Sequence, residues 1–411
     1  MSLSAGMIGA RASLDALLTV AAVPSLAATT YLGVLAARAR ENVGGSADWS
    51  APVTRFDVII PAHDEEDGIT RTITSLAAVD YPAALFRIVV IADNCSDATA
   101  LRAREPGATV LERVDPDRRG KGYALSFAFE TLLQEGLADA MVVVDADTSV
   151  SPLLLRAFDQ AIQQGHEALQ AHYGVRDADQ SWRTRLAHLG LVLFHGVRSS
   201  ARESMGVSCG LRGNGMCFRA SLLRRVPHEA CSLVEDLEYG IALGQAGVRV
   251  HFVESAWVRG DMPSTSSASR TQRARWEDGR RALRGRFGWP LLRDGLRARD
   301  GVLLDLGLDL LVPPLSTVAV TVAIGLLLAA GLTAIAGTMT VALVLWLAAL
   351  AGLLGYIGRG CAMTAAPVRT MMDLLWAPLF IVWKLTIRTA RPSLAGEWIR
   401  TARTPLARQE T

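Results

Sequence analysis

The sequence predicts an α/β protein in which a soluble domain with a largely parallel sheet is flanked by apolar helices. Between Arg55 and about Ala256, apolar β-rich runs alternate with amphipathic helical patterns. That alternation is typical of a parallel sheet covered by helices on both faces. Long apolar segments lie on either side of this region, and 50% of the 411 residues are hydrophobic. The chain therefore has room for one large soluble domain and several membrane helices.

Residues 1–52 are predicted to form a membrane anchor and a linker. Leu14 to Ala37 is mostly apolar and exceeds the ~20 residues that a spanning helix needs. Arg38 and Arg40 follow it, which places this end in the cytoplasm by the positive-inside rule. A cleaved signal peptide is the alternative, but its apolar core is usually only ~7–15 residues long. Val43 to Pro52 has the composition of a linker.

The soluble domain is predicted to occupy residues 53–262. Strands are predicted at Asp57–Pro61, Arg87–Ala92, Thr109–Glu112, Met141–Asp145, Leu169–Tyr173, Gly215–Arg219 and Val248–Val253. Helices are predicted at Gly68–Ala78, Gly122–Gln134, Leu153–Gln164 and Glu235–Ala246.

Arginines are concentrated in residues 263–300, with Trp276, Leu283, Phe287 and Trp289 between them. This composition is typical of basic helices that lie on an anionic cytoplasmic leaflet and bind membrane lipids. A solvated basic helix that packs on the soluble domain is the alternative. We favour the interfacial position because strongly apolar sequence begins immediately afterwards.

Residues 301–390 are predicted to return to the membrane. Two spans are expected, at Leu311–Leu332 and Met339–Ile357. Met371–Ile387 is also apolar but carries three residues that disfavour a simple span (Asp373, Pro378 and Lys384). We expect it to be interfacial or re-entrant, because a full crossing would put the arginine-rich tail, 391–411, outside. The sequence thus predicts a multi-pass protein of the inner (plasma) membrane with a cytoplasmic soluble domain.

The composition excludes several other classes of protein. A net charge of only +2 gives no general argument for nucleic-acid binding. The five cysteines lack CxxC or Cys/His ligand spacing, which argues against a zinc site and a disulfide framework. They are typical of free thiols in a reducing compartment.

The most informative local feature is an apolar strand that runs directly into Asp145-Ala146-Asp147. Residues i and i+2 of an extended segment point to the same side, so both carboxylates can converge on one cation. The end of a buried parallel strand is where open α/β sheets bind their ligands. Paired carboxylates there suit Mg²⁺ or Mn²⁺ holding a diphosphate. Solvated loop carboxylates are the alternative.

Two further strands are predicted to end in carboxylates. Residues 58–66 form a buried strand that breaks into an acidic loop, and the strand 88–92 ends at Asp93. Together with Asp145 and Asp147, these groups are expected at one edge of the sheet, where their like charges repel. A bound cation or a ring of hydrogen-bond donors would offset that repulsion. The arrangement predicts a nucleotide-diphosphate site.

Three other motifs are candidates for chemistry, each with a simpler alternative. Arg119-Gly120-Lys121-Gly122 suits a phosphate or carboxylate at a helix N-terminus, or is a plain basic turn; it is not a Walker A loop. Glu235-Asp236 either stabilises a helix N-terminus or provides a proton acceptor. Gln272, Arg275 and Trp276 share a helix face that suits a phosphate and a sugar ring, or they merely extend the basic helix.

In their order and spacing, these motifs resemble the membrane-bound family 2 glycosyltransferases. That family includes cellulose, hyaluronan and poly-N-acetylglucosamine synthases and ceramide glucosyltransferases. The resemblance covers roughly Phe56 to Arg281 and the flanking membrane helices. It rests on PAHDEE, ADNCSDAT, RRGKGYAL, VDADT, RGNGMCF, VEDLE and QRARW. Asp64 is a departure, because the family usually has Asn there.

The resemblance implies a GT-A (Rossmann-like) fold, a nucleotide-sugar donor (usually a UDP-sugar), Mg²⁺ or Mn²⁺, and inversion at the anomeric carbon. Carried over by motif, Asp236 is the general base, Asp145 and Asp147 hold the metal and diphosphate, and Asp147 is the direct ligand. The remaining roles are donor binding by Ala62, Glu66, Asp93 and Lys121, and acceptor or diphosphate binding by Gly213, Asn214, Gly215, Gln272, Arg275 and Trp276.

The expected reaction adds a sugar to a lipid or glycan acceptor at the membrane. Processive synthases with their own export channel typically have more membrane helices than are predicted here. This favours transfer to a lipid, or polymer synthesis with a partner or export subunit. A catalytically inactive scaffold that binds nucleotide-sugar is the alternative from another class, and the complete set of acidic motifs argues against it. A transporter is disfavoured by the few spans and the large hydrophilic domain.

Overall fold

The computed structural model describes residues 2–40, 49–176, 178–179, 181–261 and 266–381, with side chains from residue 9 onward except those of 266–274. Most of the predicted linker, the side chain of Gln272, the end of the segment 371–387 and the tail 391–411 lie outside the described part.

The soluble domain is built on one mixed eight-stranded sheet in the order β3-β2-β1-β4-β7-β6-β8-β5. The strands are β1 (Phe56–Ala62), β2 (Phe86–Asp93), β3 (Thr109–Arg113), β4 (Ala140–Val143), β5 (Ser149–Val150), β6 (Ala168–Val175), β7 (Met216–Arg219) and β8 (Val250–Gly260). Strands β1 to β4 are mutually parallel, as predicted, but β7 runs antiparallel to both β4 and β6. Because β6 runs in the direction of β4 and β8 is parallel to β6, six of the eight strands of this sheet share one direction, and β7 and β5 run against it. The prediction of a largely parallel sheet is therefore confirmed.

The antiparallel direction of β7 determines which residues reach the carboxyl end of β4. The connection from β6 to β7 leaves and rejoins the sheet at the same end, because its helices pack on the membrane helices rather than crossing the sheet. The residues that precede β7, Gly213 to Gly215, consequently lie beside the chain that follows β4, and Gly215 donates to the carbonyl of Val143 at 2.9 Å.

The helices cover both faces of the sheet and extend beyond it. They are α1 (Ser2–Arg38), α2 (Ile69–Ala77), α3 (Thr99–Arg104), α4 (Lys121–Glu135), α5 (Leu154–Gln163), α6 (Trp182–Leu191), α7 (Arg198–Met205), α8 (Ala220–Arg225), α9 (Glu235–Gln245), α10 (Ser266–Ala298), α11 (Gly301–Leu311), α12 (Leu315–Ala336), α13 (Val341–Ala362) and α14 (Pro367–Asp373). A π-helical stretch, Val192–Val197, joins α6 to α7.

The core follows the alternation of side chains along the central strands. Val58 and Ile60 of β1 pack with Phe158 of α5, whereas Ile59 packs on the opposite face with Phe129 of α4. Side chains on both faces of this strand are buried, so helices must cover the sheet on both sides, as the sequence predicted.

Three helices in the described part of the chain are long and apolar enough to cross a membrane: Gly9–Arg38, Leu315–Ala336 and Val341–Ala362. They correspond to the three predicted segments, with the last two beginning a few residues later than predicted. Close packing joins the first to the third, because a Cβ added at Gly352 would lie 2.8 Å from the carbonyl oxygen of Thr29.

An ion network that the sequence did not reveal ties the membrane helices to the soluble domain. Asp309 of α11 accepts from Arg198 at 2.6 Å and lies 2.7 Å from Arg202, both on α7. Asp305, one turn earlier, pairs with Arg202 at 3.0 Å and accepts from the Tyr31 hydroxyl of α1 at 2.8 Å. The side chains of both aspartates are 5% exposed, so the network is shielded from solvent.

Candidate active site

The site forms at the carboxyl ends of three neighbouring strands, β2, β1 and β4. Asp93 is the last residue of β2, and the acidic loop 64–66 follows β1. Strand β4 ends at Val143, two residues earlier than predicted, so Asp145 lies in the loop beyond it. The predicted convergence of acidic strand ends at one edge is thus present.

Lys121 balances the negative charge of Asp145, the first carboxylate of the VDADT motif. Its ammonium group forms an ion pair with Asp145, donates to the carbonyl of Gly213 at 2.5 Å and lies 3.9 Å from Glu235. Burial opposes the charge, but Asp145 and Glu235 outweigh it and raise the pKa of Lys121. The lysine therefore links α4, the β4 loop, the β7 loop and α9 at one point.

The loop before β7 allows this close approach because it contains glycine and a fully buried asparagine. Gly213 has φ +77°, and a Cβ there would lie 3.3 Å from Oδ2 of Asp236. The Asn214 side chain accepts from the backbone N–H of Asp145 at 3.1 Å and donates to Thr148 at 2.8 Å. Asn214 thus holds the loop that carries the acidic pair, and its buried amide is occupied in doing so.

Two carboxylates, the buried Glu235 and the partly buried Asp236, open α9 beside this loop. Burial raises the pKa of Glu235 to about 7, although Lys121 counteracts part of the effect. Burial also raises the pKa of Asp236, while Lys121 and Arg212 lower it in part. The sequence offered Glu235 and Asp236 alike as first-turn acids or as a proton acceptor, and the family resemblance selected Asp236. Its contact with Lys121 comes from a distant helix and has no signature in the local sequence.

Asp147 lies near the end of β8. A Cβ at Gly260 of β8 would lie 3.9 Å from Oδ1 of Asp147 and 3.3 Å from the Tyr173 hydroxyl. Burial raises the pKa of Tyr173, and Asp145 and Asp147 raise it further. Arg176 donates to the Asp147 carbonyl at 3.3 Å. Sequence reasoning missed Tyr173 and Arg176 because both follow from the pairing of β6 with β8.

The Asp93 region forms a second polar group at the edge of the sheet. The buried carboxylate of Asp93 pairs with Arg113 at 2.5 Å, and its carbonyl oxygen lies 2.7 Å from Nδ1 of His63. Ala62 is buried at the end of β1. Glu66 accepts from the backbone N–H of Ala98 at 3.0 Å. Each acidic group here has a donor or cation from the chain, which offsets the predicted repulsion.

Ligand atoms of Asp64, Cys95 and Asp97 also lie within 4.8 Å of one another. The two carboxylates already accept backbone N–H groups, from Ser96 at 2.7 Å and from Thr99 at 2.9 Å. These bonds are those of a stabilised turn and helix start.

The predicted QRARW residues lie on α10, which packs against the start of α9. A Cβ at Gly279 would be 2.8 Å from the side chain of Val234, which immediately precedes Glu235 and Asp236. Arg275 is one turn earlier on the helix, and its Nε is buried without a hydrogen-bond partner in the described part of the chain. Trp276 is 40% exposed. The packing of α10 on the domain is therefore established, and its predicted contact with lipid is untested.

The model of a family described as "Glycosyltransferase like family 2" matches residues 52–279, more than half of the chain. Among curated proteins, a probable glycosyltransferase of Bacillus subtilis is 25% identical over 55% of each chain. An N-acetylglucosaminyltransferase of Rhizobium leguminosarum is 26% identical over 55% of each. A beta-monoglucosyldiacylglycerol synthase of Synechocystis sp. is 25% identical over 56% of this chain and 48% of its own. The chain spans about half the length of the curated relatives it matches.

Among solved structures, a mannosyltransferase of Pyrobaculum calidifontis in complex with GDP-Man and Mn²⁺ has a TM-score of 0.51 and 18% identity. The likeness covers 82% of this chain and 99% of that chain, and it shows a shared fold. The predicted GT-A fold is confirmed. With the family match and the acidic motifs gathered at one sheet edge, the chain belongs to glycosyltransferase family 2.

Proposed function

We propose that this protein is an inverting glycosyltransferase that moves a sugar from a nucleotide-sugar to a membrane-associated acceptor. A UDP-sugar is the donor that we expect. The observation that carries the proposal is the meeting of Lys121, Asp145, Gly213 and Asp236, which come from four separate motifs. A purely structural cluster would not need two adjacent, partly desolvated carboxylates beside a positive-φ glycine.

Asp236 is the general base in this proposal. The acceptor hydroxyl attacks C1 of the donor sugar and gives its proton to the Asp236 carboxylate. The new C1–O bond forms as the bond from C1 to the diphosphate oxygen breaks, and that electron pair leaves with the diphosphate. Burial raises the pKa of Asp236, which makes the carboxylate a better proton acceptor than a solvated one.

Asp145 and Asp147 would hold the divalent ion. Both are carboxylates with hard oxygen donors, one residue apart after a buried strand, which suits Mg²⁺ or Mn²⁺. When bound, the ion supplies positive charge to the diphosphate. Lys121 adds a fixed positive charge at the same place, and it orients Asp145 through their ion pair.

The remaining predicted residues would bind the two substrates. We assign the nucleotide to the polar group around Asp93, with Ala62 and Glu66 at its border. Gln272, Arg275 and Trp276 would contact the diphosphate and the acceptor. The buried Nε of Arg275, which has no hydrogen-bond partner among the side chains that the structure describes, supports an anionic ligand beside it. The half-exposed Trp276 indole offers a face for a sugar ring.

The acceptor is proposed to be a lipid, or a glycan handled with a partner subunit. Three candidate spans in the described part of the chain support a membrane location. The names of the relatives, which include a beta-monoglucosyldiacylglycerol synthase and an N-acetylglucosaminyltransferase, fit either acceptor class.

The direct test incubates purified full-length protein in lipid vesicles with a panel of UDP- and GDP-sugars. Nucleoside diphosphate release is followed, and extracted products are sized by mass spectrometry. We expect release with at least one donor and a product heavier by one sugar. A ladder of masses would indicate polymer synthesis instead, and no release with any donor would contradict the proposal.

Replacing Asp236 by Asn tests the assignment of the base. We expect donor binding to be largely retained while turnover falls by about 10²–10⁴-fold, because the acceptor proton has lost its acceptor. Asp139→Asn is the matched control, since that carboxylate is 49% exposed in a surface pair with Arg55. Wild-type turnover by Asp236→Asn would remove this residue from the mechanism.

A further inference from the structure

The helical run after the last candidate span, residues 367–381, turns its apolar face outwards. We call it the C-terminal helical segment. Its large apolar side chains, between 51% and 81% exposed, are Val368, Met371, Met372, Leu375, Trp376 and Leu379. Spacings of three and four residues place all six on one face. Thr370 and Asp373 lie on the opposite face, 5% and 6% exposed.

The polar face is fixed to the soluble domain. Arg185 of α6 donates two hydrogen bonds to Asp373, from Nε to Oδ2 at 2.5 Å and from Nη2 to Oδ1 at 2.9 Å. Trp376 stacks on Trp182 of the same helix with ring centroids 5.7 Å apart. A bidentate guanidinium–carboxylate pair sets both position and orientation. The segment is therefore held along α6 at its polar side.

The outward face is too apolar for a surface in contact with water. Soluble proteins rarely expose contiguous apolar patches of this kind. Four residues separate the segment from α13, a candidate membrane span, and the segment packs against that helix, so its apolar face is continuous with a candidate span. The lipid bilayer is the partner that this continuity favours.

We propose that the C-terminal helical segment lies in the interfacial layer of the bilayer and does not cross it. The fifteen residues of the segment measure about 22 Å at 1.5 Å per residue, against a hydrocarbon core of about 30 Å. Because Asp373, in the middle of the segment, is tied to α6 of the soluble domain, the segment stays on the side of that domain.

The attachment also brings the bilayer surface close to the candidate active site. Helix α6 begins six residues after Arg176, which donates to the Asp147 carbonyl. The membrane and the acidic edge of the sheet are thus connected through one short stretch of chain. That a lipid acceptor would reach the site along this side rests on the proposed function; the interfacial placement itself does not.

Fluorescence quenching by brominated lipids tests the placement in reconstituted full-length protein. Bromines near the headgroup should quench Trp376, so Trp376→Phe is expected to remove part of the quenchable signal. Trp257→Phe, in β8 of the soluble domain, is the control and should leave that signal unchanged. An unchanged quenchable signal in Trp376→Phe would overturn the proposal, as would burial of the segment against a second copy, seen as a dimer by light scattering.

A separate experiment tests the side of the membrane. An epitope tag at the C-terminus and one at the exposed turn around Gly107 are digested by protease in sealed vesicles. Both tags should be cut, or protected, together. Digestion of one and protection of the other would show that the segment crosses, even if the protein proves to have no transferase activity.

Discussion

At the scale of single residues, the candidate site is a set of buried and partly buried charges, several of which are paired within the chain. Asp145 forms an ion pair with Lys121, and Asp93 forms one with Arg113. The sequence predicted the carboxylates because they follow apolar strands. It could not predict Arg113 or the second role of Lys121, since those pairings depend on how distant strands and helices approach. The contact of Glu235 with Lys121 was missed for the same reason.

Gly213 tests whether the close approach of the β7 loop to Asp236 matters. In Gly213→Ala, the methyl group would meet Oδ2 of Asp236 at 3.3 Å in a backbone conformation with φ +77°. We expect at least a tenfold loss of turnover in a folded protein. Gly107→Ala is the control, because φ there is +91° with open space around it. It should lose about 1 kcal/mol of stability and keep its turnover; equal turnover losses in both variants would refute the steric argument.

The raised pKa of Glu235 predicts that the stability of the folded protein depends on pH. Its pKa in the folded protein is about 7, above the ordinary carboxyl value, so folding favours the protonated form. The favourable contribution is complete below the unfolded pKa and is lost as pH rises through about 7. Glu235→Gln should therefore gain stability relative to wild type between pH 5 and pH 8, by up to about 3 kcal/mol. Thermal unfolding at several pH values measures this difference, and a pH-independent difference would contradict it.

At the scale of elements, the sequence predicted the central strands and most covering helices to within a few residues, because their apolar periodicity is strong. It missed α6, α7 and α11. Their burial is governed by ion pairs and membrane helices, so polar residues such as Arg202 and Asp305 occupy positions where a pattern-based reading expects solvent. It also missed the reversal of β7, since strand direction has no local signature.

The Asp309 network predicts a large loss of stability on charge removal. Burial alone would raise the pKa of Asp309, but Arg202, Arg280 and Arg198 hold it well below its ordinary value. Asp309→Asn leaves the buried guanidinium groups of Arg198 and Arg202, and the partly buried one of Arg280, without this carboxylate and should cost about 3–5 kcal/mol. Glu167→Gln, which breaks an exposed pair with Arg225, should cost at most about 1 kcal/mol. Similar losses in chemical unfolding would show that the network contributes little.

At the scale of the whole molecule, one soluble domain of the family 2 fold is joined to three candidate membrane spans through α1, α10 and α11. The sequence predicted this division because apolar segments and motifs are separate along the chain. The domain boundaries proposed from it, and the cytoplasmic side of the soluble domain, stay predictions. The donor sugar and acceptor depend on pocket shape, which motifs do not encode.

The central claim is that the paired aspartates after β4 bind a divalent ion together with a nucleoside diphosphate. Mn²⁺ electron paramagnetic resonance, recorded while UDP or GDP is added to the full-length protein, measures this directly. We predict that the nucleotide converts free Mn²⁺ to a bound form in wild type and in Asp236→Asn, and that Asp147→Asn abolishes the bound form. Mn²⁺ binding that is unchanged in Asp147→Asn, or absent in wild type with both nucleotides, would contradict the account.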